Sequence, residues 1–378
     1  MVAIQGIKLL PPVVTTQQAL TLYKKVAVIK SKIGRLNSEL EHSIVDSHLI
    51  QLLALNESVQ STRIEGTQVT FADMIDDEDK KKKRSEVIEV DNYRHALSLG
   101  IDLISAGNPI STRLIQQIHE TLMAGGTRGT TSARGEYRKI QNFIGPDNKI
   151  EHATYIPVAA NEIANYMANL EFFINGEHHR TFDNVIVSDN EIVLDEATDP
   201  LIKTAILHAQ FESIHPFLDG NGRVGRMLIV FSTMLDGLVD KPVFFVSEEL
   251  EKERLRYYNF LNGIRGNNAD WFGWINFFLD VSDRMTDSLL NKLIAITKLS
   301  QDGLEIIGDR KETLKKAWFV TFGQPWISAK HLSDVLAVTP ATARVALNEL
   351  EKLKLVESDV TKKRNKIYVN FSLLRLMQ

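Results

Sequence analysis

The sequence predicts a mainly α-helical protein with more than one domain. Along most of the chain, apolar residues recur at spacings of three and four, the pattern of helices that bury one face. At 378 residues, the chain is also too long for one ordinary core, because a domain typically takes roughly 100–200 residues. The composition, 44% hydrophobic and 24% charged, is that of a globular protein. We expect three regions, at residues 1–105, 106–300 and 301–378.

The first region, residues 1–105, is predicted to consist of packed helices. From Leu20 to Val59, apolar residues follow i+3 and i+4 spacings, and Gly34 is the one residue that weakens a helix. Further along, residues 76–84 read DDEDKKKKR. Each acidic residue of this run stands four positions before a lysine, which favours a solvated helix face over a targeting signal.

The second region, residues 106–300, is predicted to be helical apart from one β-hairpin. Between Gly135 and Pro157, the turn sequence Gly-Pro-Asp-Asn lies between two short apolar stretches. This combination is typical of a hairpin or a loop. We therefore expect an exposed hairpin within a helical domain.

The third region, residues 301–378, has the pattern of a winged helix-turn-helix. One helix is predicted at about residues 328–336, and a second begins at Pro340 with Thr339 as its N-cap. Two short strands around a basic turn, residues 362–366, would form the wing. Residues 325–378 carry a net charge of +4, against −8 for the rest of the chain. This asymmetry permits DNA binding and leaves protein docking or dimerisation open.

Composition excludes several kinds of site and location. The chain has no cysteine, so disulfides, thiolate nucleophiles and Cys-ligated zinc are excluded. The formal net charge of −4 creates no whole-chain attraction to nucleic acid or anionic lipid. We recognise no secretory signal, and no apolar stretch approaches the roughly 20 residues that span a bilayer. A cytoplasmic protein without membrane contact is the expectation.

Candidate chemistry is concentrated in residues 215–226, HPFLDGNGRVGR. A helix that begins after the Gly-Asn-Gly sequence presents free N–H groups and its positive dipole end to an anion. Arg223 and Arg226 lie on one face and can bind further phosphate oxygens. Asp219 is a hard oxygen ligand that suits Mg²⁺. His215 can accept a proton from a hydroxyl near neutral pH.

Two alternative patterns overlap this segment. The three glycines of residues 220–225 match the G-x-G-x-x-G of dinucleotide-binding folds, but that motif must follow a β-strand, and a helical pattern precedes it here. His208, Glu212 and His215 have the spacing of metal ligands on one helix face. Because Pro216 predicts a helix break at His215, a buried or orienting His208 is favoured over a transition-metal site.

Residues 215–226 resemble the complete signature of the Fic family, H-x-F-x-D-G-N-G-R-x-x-R, with no departure at any defined position. Residues 56–74 are similar to the inhibitory helix of Fic proteins that carry their own N-terminal inhibitor, S/T-x-x-x-E-G/N, here Ser61, Glu65 and Gly66. A C-terminal winged helix also occurs in that subgroup. The resemblance therefore predicts a Fic helical core with a β-hairpin flap, an N-terminal region with the inhibitory helix, and a C-terminal winged helix-turn-helix.

The resemblance implies a protein adenylyltransferase, which transfers AMP from ATP to a Ser, Thr or Tyr hydroxyl of a target protein and releases pyrophosphate. His215 would be the general base, and Asp219 would hold Mg²⁺ between the α- and β-phosphates. Backbone N–H groups of residues 220–222 would bind α and β oxygens. Arg223 would support the β-phosphate, and Arg226 would bind the γ-phosphate.

Further roles follow from the same resemblance. Glu65 would mimic and displace the γ-phosphate at Arg226, so that the chain inhibits itself. The predicted hairpin resembles the family's flap, which covers the nucleotide and pairs with the target by strand addition, and residues 152–155 would be its nucleotide-facing end. Tyr257 and Tyr258 would lie near the adenine, or else belong to the helical core. The residues implied to bind the nucleotide are Glu65, His152, Ala153, Thr154, Tyr155, His215, Asp219, Gly220, Asn221, Gly222, Arg223, Val224, Gly225, Arg226, Tyr257 and Tyr258.

Two other functions stay open at the level of the sequence. One is removal of AMP from a modified target, with Glu65 positioning a water, or transfer of another phosphorylated group on the same scaffold. The other is a DNA-binding regulator in which the Fic-like part senses a nucleotide. Self-modification, a homodimer, and contact of the winged helix with DNA or protein are further expectations.

Overall fold

The computed structural model describes residues 3–41, 46–77, 83–125, 133–147, 149–358 and 366–377. Most of these residues are helical, which confirms the prediction of a mainly α fold. The helices are α1 (Thr16–Glu41), α2 (Asp46–Ile64), α3 (Phe71–Asp77), α4 (Ser85–Ser105), α5 (Thr112–Leu122), α6 (Ile163–Ile174), α7 (Pro200–Ile214), α8 (Asn221–Leu235), α9 (Ser247–Lys252), α10 (Arg254–Gly263), α11 (Trp271–Ile307), α12 (Glu312–Gly323), α13 (Ala329–Leu336), α14 (Pro340–Lys352) and α15 (Phe371–Leu376). The strands are β1 (Ile4–Gln5), β2 (Val13–Thr15), β3 (Tyr155–Ile156), β4 (Glu191–Val193), β5 (Trp326–Ser328), β6 (Glu357–Ser358) and β7 (Ile367–Val369).

The chain folds into two compact units, each built from several segments. Unit 1 comprises Met1–Ile33, Glu57–Val69 and Arg84–Thr286. Unit 2 comprises Gly34–Asn56, Thr70–Lys83 and Asp287–Gln378. The three domains expected at 1–105, 106–300 and 301–378 stay a prediction.

Helices α7 and α8 form the centre of unit 1. Every residue of α7 from Leu201 to Ile214 is buried, as expected of a helix surrounded by other elements. Helix α8 packs against α7 and also against α4 and α5. The loop between α7 and α8 is therefore anchored at both ends by buried helices.

The predicted hairpin of unit 1 is reduced to one antiparallel bridge, between Ile144 and Tyr155. The Ile144 N–H donates to the Tyr155 O at 2.9 Å, and the Tyr155 N–H donates back at 3.1 Å. Strand β3 then pairs in parallel with β1, where Ile4 lies opposite Tyr155. A 3₁₀ turn at Ile150–His152 follows the loop, and Asn148 lies outside the described residues. The second limb of the hairpin thus pairs mainly with β1.

Unit 2 ends in a three-stranded antiparallel sheet with the order β5-β7-β6. Helices α13 and α14 pack against each other, and each begins at a side-chain cap, Ser328 and Thr339 respectively. The start of α14 at Pro340 agrees with the sequence pattern. Most of the basic turn at 362–366 lies outside the described residues. The winged-helix assignment stays a prediction.

The charged run of residues 76–84 begins with the last two residues of α3 and ends directly before α4. Residues 78–82 lie outside the part of the chain that the structure describes, and Lys83 and Arg84 are not helical. The predicted helix face therefore does not extend to Lys83. Among the described helices, none combines the length and the apolar character needed to cross a membrane.

Candidate active site

His215 lies at the point where α7 ends, half-buried and with left-handed backbone angles, φ 50° and ψ 60°. Its Nδ1 lies 3.3 Å from the backbone O of Glu212. Because a carbonyl can only accept, Nδ1 carries the proton and Nε2 has the lone pair. Burial, together with the charges of Arg265 and Arg138, lowers the pKa of His215 to about 4. The imidazole is therefore neutral near pH 7 and can accept a proton at Nε2.

Asn221 closes the loop that follows His215. Its Oδ1 accepts from the Phe217 N–H and its Nδ2 donates to the Phe217 O, both at 2.9 Å. Gly220, at φ 78°, supplies the left-handed turn before α8. The helix begins at Asn221, two residues before the predicted start at Arg223, because the side chain of Asn221 fixes the loop. The first N–H groups of a helix have no intrahelical partner, so the start of α8, directly behind the loop, can bind an anion.

Asp219 is held by its backbone, while its carboxylate stays accessible. The Asp219 O accepts from Nε2 of His119 at 3.1 Å, and Nδ1 of His119 accepts from the Gly135 N–H at 2.9 Å. The His119 ring also stacks on Phe217, with the two centroids 3.7 Å apart. The Asp219 carboxylate accepts from the Gly220 N–H at 2.6 Å, and its side chain is 47% exposed. Free carboxylate lone pairs therefore face solvent beside the start of α8.

His119 was not among the residues predicted from the sequence. It belongs to α5 and is buried, and burial lowers its pKa to about 4. It is thus a neutral residue that fixes the loop. A single histidine on the apolar face of a helix is a weak signal, because most such residues are satisfied core histidines with no link to a loop 100 positions away.

The Asp219 carboxylate and the adjacent start of α8 fit a magnesium ion that is shared with a phosphate. Mg²⁺ is usually bound by one or two carboxylates together with substrate phosphates, and Asp219 offers one accessible carboxylate next to an anion site. Among the described residues, no group of three or more His, Asp or Glu side chains could hold a metal ion. His208, a member of the alternative metal triad, is buried, and its Nε2 lies 2.9 Å from the Tyr257 hydroxyl. Asp219 is therefore the residue that would hold Mg²⁺.

Arg226 is buried, and the last turns of α2 bind its guanidinium. Nε donates to Ser61 Oγ at 2.8 Å, and Nη2 donates to the Ser61 O at 3.0 Å and to Glu65 Oε1 at 2.6 Å. Burial opposes the ionisation of Glu65, but the positive charge of Arg226 outweighs this effect and holds the pKa of the Glu65 carboxyl below its usual value. The Glu65 carboxylate lies against Gly222, where a methyl group would collide with it. Gly66 follows with left-handed backbone angles, φ 93°. Glu65 thus fills space beside the first turn of α8.

Arg223 is buried without an optimal partner. Its Nη2 lies 3.8 Å from Sδ of Met123 and 3.7 Å from Oδ1 of Asp219. Its Nε is buried and has no hydrogen-bond partner among the described atoms. A buried charged donor left unsatisfied is costly. The guanidinium therefore has spare capacity for an anion at the start of α8.

Two sequence profiles of one family match the chain. The profile of the Fic/DOC family matches residues 109–232, and that of the Fic/DOC family N-terminal region matches residues 23–102. Together they cover more than half of the chain. The chain belongs to the Fic/DOC family.

Curated relatives match part of the chain at moderate identity. The protein adenylyltransferases Fic of Drosophila sechellia and Drosophila melanogaster are each 28% identical over 156 residues, which is 41% of this chain and 25% of each relative. The match therefore spans about a quarter of the length of these relatives.

Solved Fic structures share the fold. A Fic family protein from Desulfovibrio desulfuricans aligns with a TM-score of 0.54 at 19% identity, over 97% of this chain and 98% of that one. A Fic domain containing signaling protein from Bacteroides thetaiotaomicron aligns with a TM-score of 0.50 at 17% identity, over 68% of this chain and 96% of that one. These likenesses confirm the Fic fold.

The segment expected to be the nucleotide-facing end of the Fic flap divides into exposed and buried residues. His152 and Thr154 are exposed, whereas Ala153 is buried. Tyr155 is fully buried, and its hydroxyl donates to the Ser213 O at 2.6 Å. Tyr155 therefore supports the end of α7, and its ring has no exposed face to offer a nucleotide.

The two tyrosines of α10 also differ. Tyr257 is 1% exposed and packs near His208 and Trp274, which favours the core alternative for this residue. Tyr258 is half-buried, and its hydroxyl lies 3.4 Å from the Ile64 O, immediately before Glu65. Nucleotide contact by Tyr258 stays a prediction.

Two residues within the Fic signature pack helices together. Val224 is fully buried. Gly225 faces Glu212 and Phe211 of α7, where a methyl group would collide with the Glu212 carboxyl. Their predicted contribution to nucleotide binding would therefore be limited to the backbone.

Proposed function

We propose that this Fic chain transfers AMP from ATP to a hydroxyl of a target protein and releases pyrophosphate. The observation that carries the proposal is the position of a neutral histidine, with its Nε2 lone pair available, on the same short loop as an anion-binding helix start. Phosphoryl-type transfer depends mainly on such positioning and on neutralisation of charge. The names of the Drosophila relatives support the same reaction.

In the proposed reaction, Nε2 of His215 takes the proton of the target hydroxyl. The hydroxyl oxygen forms a bond to the α-phosphorus, the bond from that phosphorus to the β-bridging oxygen breaks, and pyrophosphate leaves. The N–H groups at the start of α8 bind phosphate oxygens, and Arg223 and Arg226 bind the outer phosphates. Mg²⁺ held by Asp219 would neutralise charge on the phosphates and on the leaving pyrophosphate.

Self-inhibition is part of the proposal. A γ-phosphate would need the Arg226 donors that Glu65 and Ser61 now occupy. Since the Glu65 carboxylate also lies against Gly222, it competes for space as well as for charge. ATP bound without that contact would be misplaced for transfer.

Removal of AMP from a modified target is the second candidate. The Glu65 side chain is 33% exposed, and its charge acts electrostatically on His215. A carboxylate with this exposure and proximity could orient a water toward the α-phosphorus. Under this alternative, Glu65→Gly abolishes the reaction, whereas under the first proposal it increases transfer.

The proposed reaction has two partners. ATP and a protein that presents a hydroxyl follow from the proposed reaction, and the chain itself is a convenient acceptor. Contact of residues 301–378 with DNA or protein, and a homodimer, stay predictions. Salt-dependent binding of a DNA duplex by the full chain, lost on substitution of Arg344, would favour DNA as the partner.

The reaction can be tested with ATP labelled at either the α- or the γ-phosphate. The full chain, with Mg²⁺ and cell-extract proteins, is compared with Glu65→Gly, His215→Ala and, as a matched control, Glu177→Gly, which removes an exposed loop carboxylate. We expect protein-bound label from the α position alone, raised in Glu65→Gly, lost in His215→Ala and unchanged in Glu177→Gly. Retention of γ label would contradict the proposal.

A further inference from the structure

Arg138 binds the backbone on both sides of His215. Its Nε donates to the His215 O at 3.0 Å and its Nη2 to the Ile214 O at 3.5 Å. Its own backbone N–H donates to the Pro216 O at 2.8 Å. The side chain is buried, 2% exposed. Three consecutive carbonyls at the end of α7 therefore depend on one residue that is 77 positions from His215.

The Arg138 guanidinium also binds both limbs of the hairpin. Nη1 donates to the Ile140 O at 3.1 Å, and Nη2 donates to the Val158 O at 2.5 Å. The base of the hairpin and the backbone of His215 thus share one anchor.

Arg265 binds the carbonyl that orients the His215 ring. Its Nη2 donates to the Glu212 O at 3.3 Å, and the same oxygen accepts from Nδ1 of His215 at 3.3 Å. The guanidinium lies 4.0 Å from the centre of the Tyr155 ring, and the Tyr155 hydroxyl donates to the Ser213 O. Side chains that are distant in sequence therefore bind the successive carbonyls at the end of α7, those of residues 212–215.

The end of α7 compensates the buried charges of Arg138 and Arg265. Within the described part of the chain, neither Arg138 nor Arg265 has a carboxylate partner within ion-pair distance, and a buried charge is costly unless it is compensated. For both arginines the compensation comes from carbonyls that have no partner within α7 and from the negative end of the α7 dipole. In return, His215 is held in left-handed backbone angles, which are unfavourable for a non-glycine residue and persist where the surroundings enforce them.

We propose that Arg138 and Arg265 are positioning residues for His215: by binding the carbonyls at the end of α7, they keep Nδ1 on the Glu212 carbonyl and leave Nε2 free as the proton acceptor. The proposal rests on the proposed function in taking His215 as the base. The ring orientation itself can be measured without any reaction.

The first test is NMR of the full chain labelled with ¹⁵N-histidine near pH 7, with the His215 signals identified by their loss in His215→Gln. We expect the Nδ1–H tautomer in the unsubstituted chain. Arg138→Met and Arg265→Met should give a mixture of tautomers, and Arg138→Lys, which keeps one donor group, should stay closer to the unsubstituted chain. The control is Arg284→Met, which removes an arginine that binds Glu249 and Glu253 and is 41% exposed, and it should change nothing.

The second test is kinetic and uses the Glu65→Gly background. Arg138→Met should lower kcat by about 100-fold, the size of effect that a displaced catalytic group can cause, while the KM for ATP stays within about twofold. Circular dichroism checks that each variant is folded, and if the methionine variants do not fold, the lysine variants replace them.

Three results would overturn the positioning role. These are an Nε2–H tautomer in the unsubstituted chain, an unchanged tautomer together with unchanged kcat in the folded arginine variants, or a loss confined to the KM for ATP. If the Glu65→Gly chain transfers no AMP, the proposed function fails, and the tautomer measurement still decides the positioning role.

Discussion

Glu65 binds Arg226 across 161 positions of sequence, with Oε1 of the carboxylate 2.6 Å from Nη2 of the guanidinium. Ser61 binds the same guanidinium one helical turn earlier, through both its hydroxyl and its carbonyl. Arg226 is therefore satisfied before any nucleotide arrives. A phosphate that requires Arg226 has to displace a partner that belongs to the same chain.

Removal of the Glu65 carboxylate should tighten ATP binding. Hydrogen bonds to charged groups contribute about 1.5–3 kcal/mol, so we expect Glu65→Ala to lower the Kd for Mg·ATP by roughly 10- to 150-fold. Titration calorimetry measures this directly, with Glu177→Ala as the control. An unchanged Kd would mean that Glu65 does not compete with the nucleotide.

Ser61→Ala should release the inhibition in part. The substitution removes the bond from Arg226 Nε to Ser61 Oγ and leaves the bonds to the Ser61 carbonyl and to Glu65. This bond joins a charged donor to a neutral acceptor and contributes about 1.5 kcal/mol, the lower end of the range for charged groups, so transfer of α label should rise by roughly 10-fold and stay below that of Glu65→Gly. If Ser61→Ala raised transfer as much as Glu65→Gly does, the Ser61 hydroxyl and not the Glu65 carboxylate would be the main source of the inhibition.

Transfer by the Glu65→Gly variant should change little between about pH 6 and pH 8. The base acts in its neutral form, and burial with the Arg265 and Arg138 charges lowers the pKa of His215 to about 4. Activity that depends on His215 is therefore lost as the pH falls toward 4, whereas a histidine with the ordinary pKa would already be half protonated at about pH 6.5. Initial rates at saturating Mg·ATP test this, and a half-maximal rate near pH 6.5 would contradict it.

The stability of the chain should fall with rising pH through the ionisation of Glu212. Burial raises the pKa of Glu212 to about 7, and its Oε1 has no hydrogen-bond partner among the described atoms. A carboxyl whose pKa is raised by folding stabilises below its unfolded pKa, and this contribution is lost as the pH rises through the folded value.

Glu212→Gln has no such ionisation, so its Tm relative to the unsubstituted chain should rise by several degrees from pH 5 to pH 8. Scanning calorimetry over this range provides the measurement. Parallel Tm curves for the two proteins would show that Glu212 does not titrate in the folded chain.

The local chemistry of the site could be predicted from the sequence because it lies on twelve consecutive residues. The helix start after the glycines, the break at His215 and the cationic face of Arg223 and Arg226 follow from spacing, dipoles and the effect of a proline. Glu65 could be proposed as an inhibitory residue only because residues 61–66 resemble a known motif. No periodicity connects Glu65 to Arg226.

The supports of the site could not be predicted. His119, Arg138 and Arg265 act through backbone carbonyls, and a carbonyl carries no residue identity from which a partner could be recognised. The resemblance placed Tyr155 at the nucleotide and left Tyr257 open between the adenine and the helical core; both rings are buried, as aromatic side chains often are because they bury a large apolar area. The hairpin was recognised from its turn residues, whereas its pairing with β1 depends on a segment about 150 positions earlier.

Because Glu65 and Arg226 belong to one polypeptide, the proposed inhibition does not depend on how concentrated the protein is. An intramolecular group competes at a fixed effective concentration, so dilution leaves the occupancy of Arg226 by the carboxylate unchanged. A rise in ATP, in contrast, shifts the competition directly. The proposed transferase would therefore respond to the nucleotide level around it and not to its own abundance.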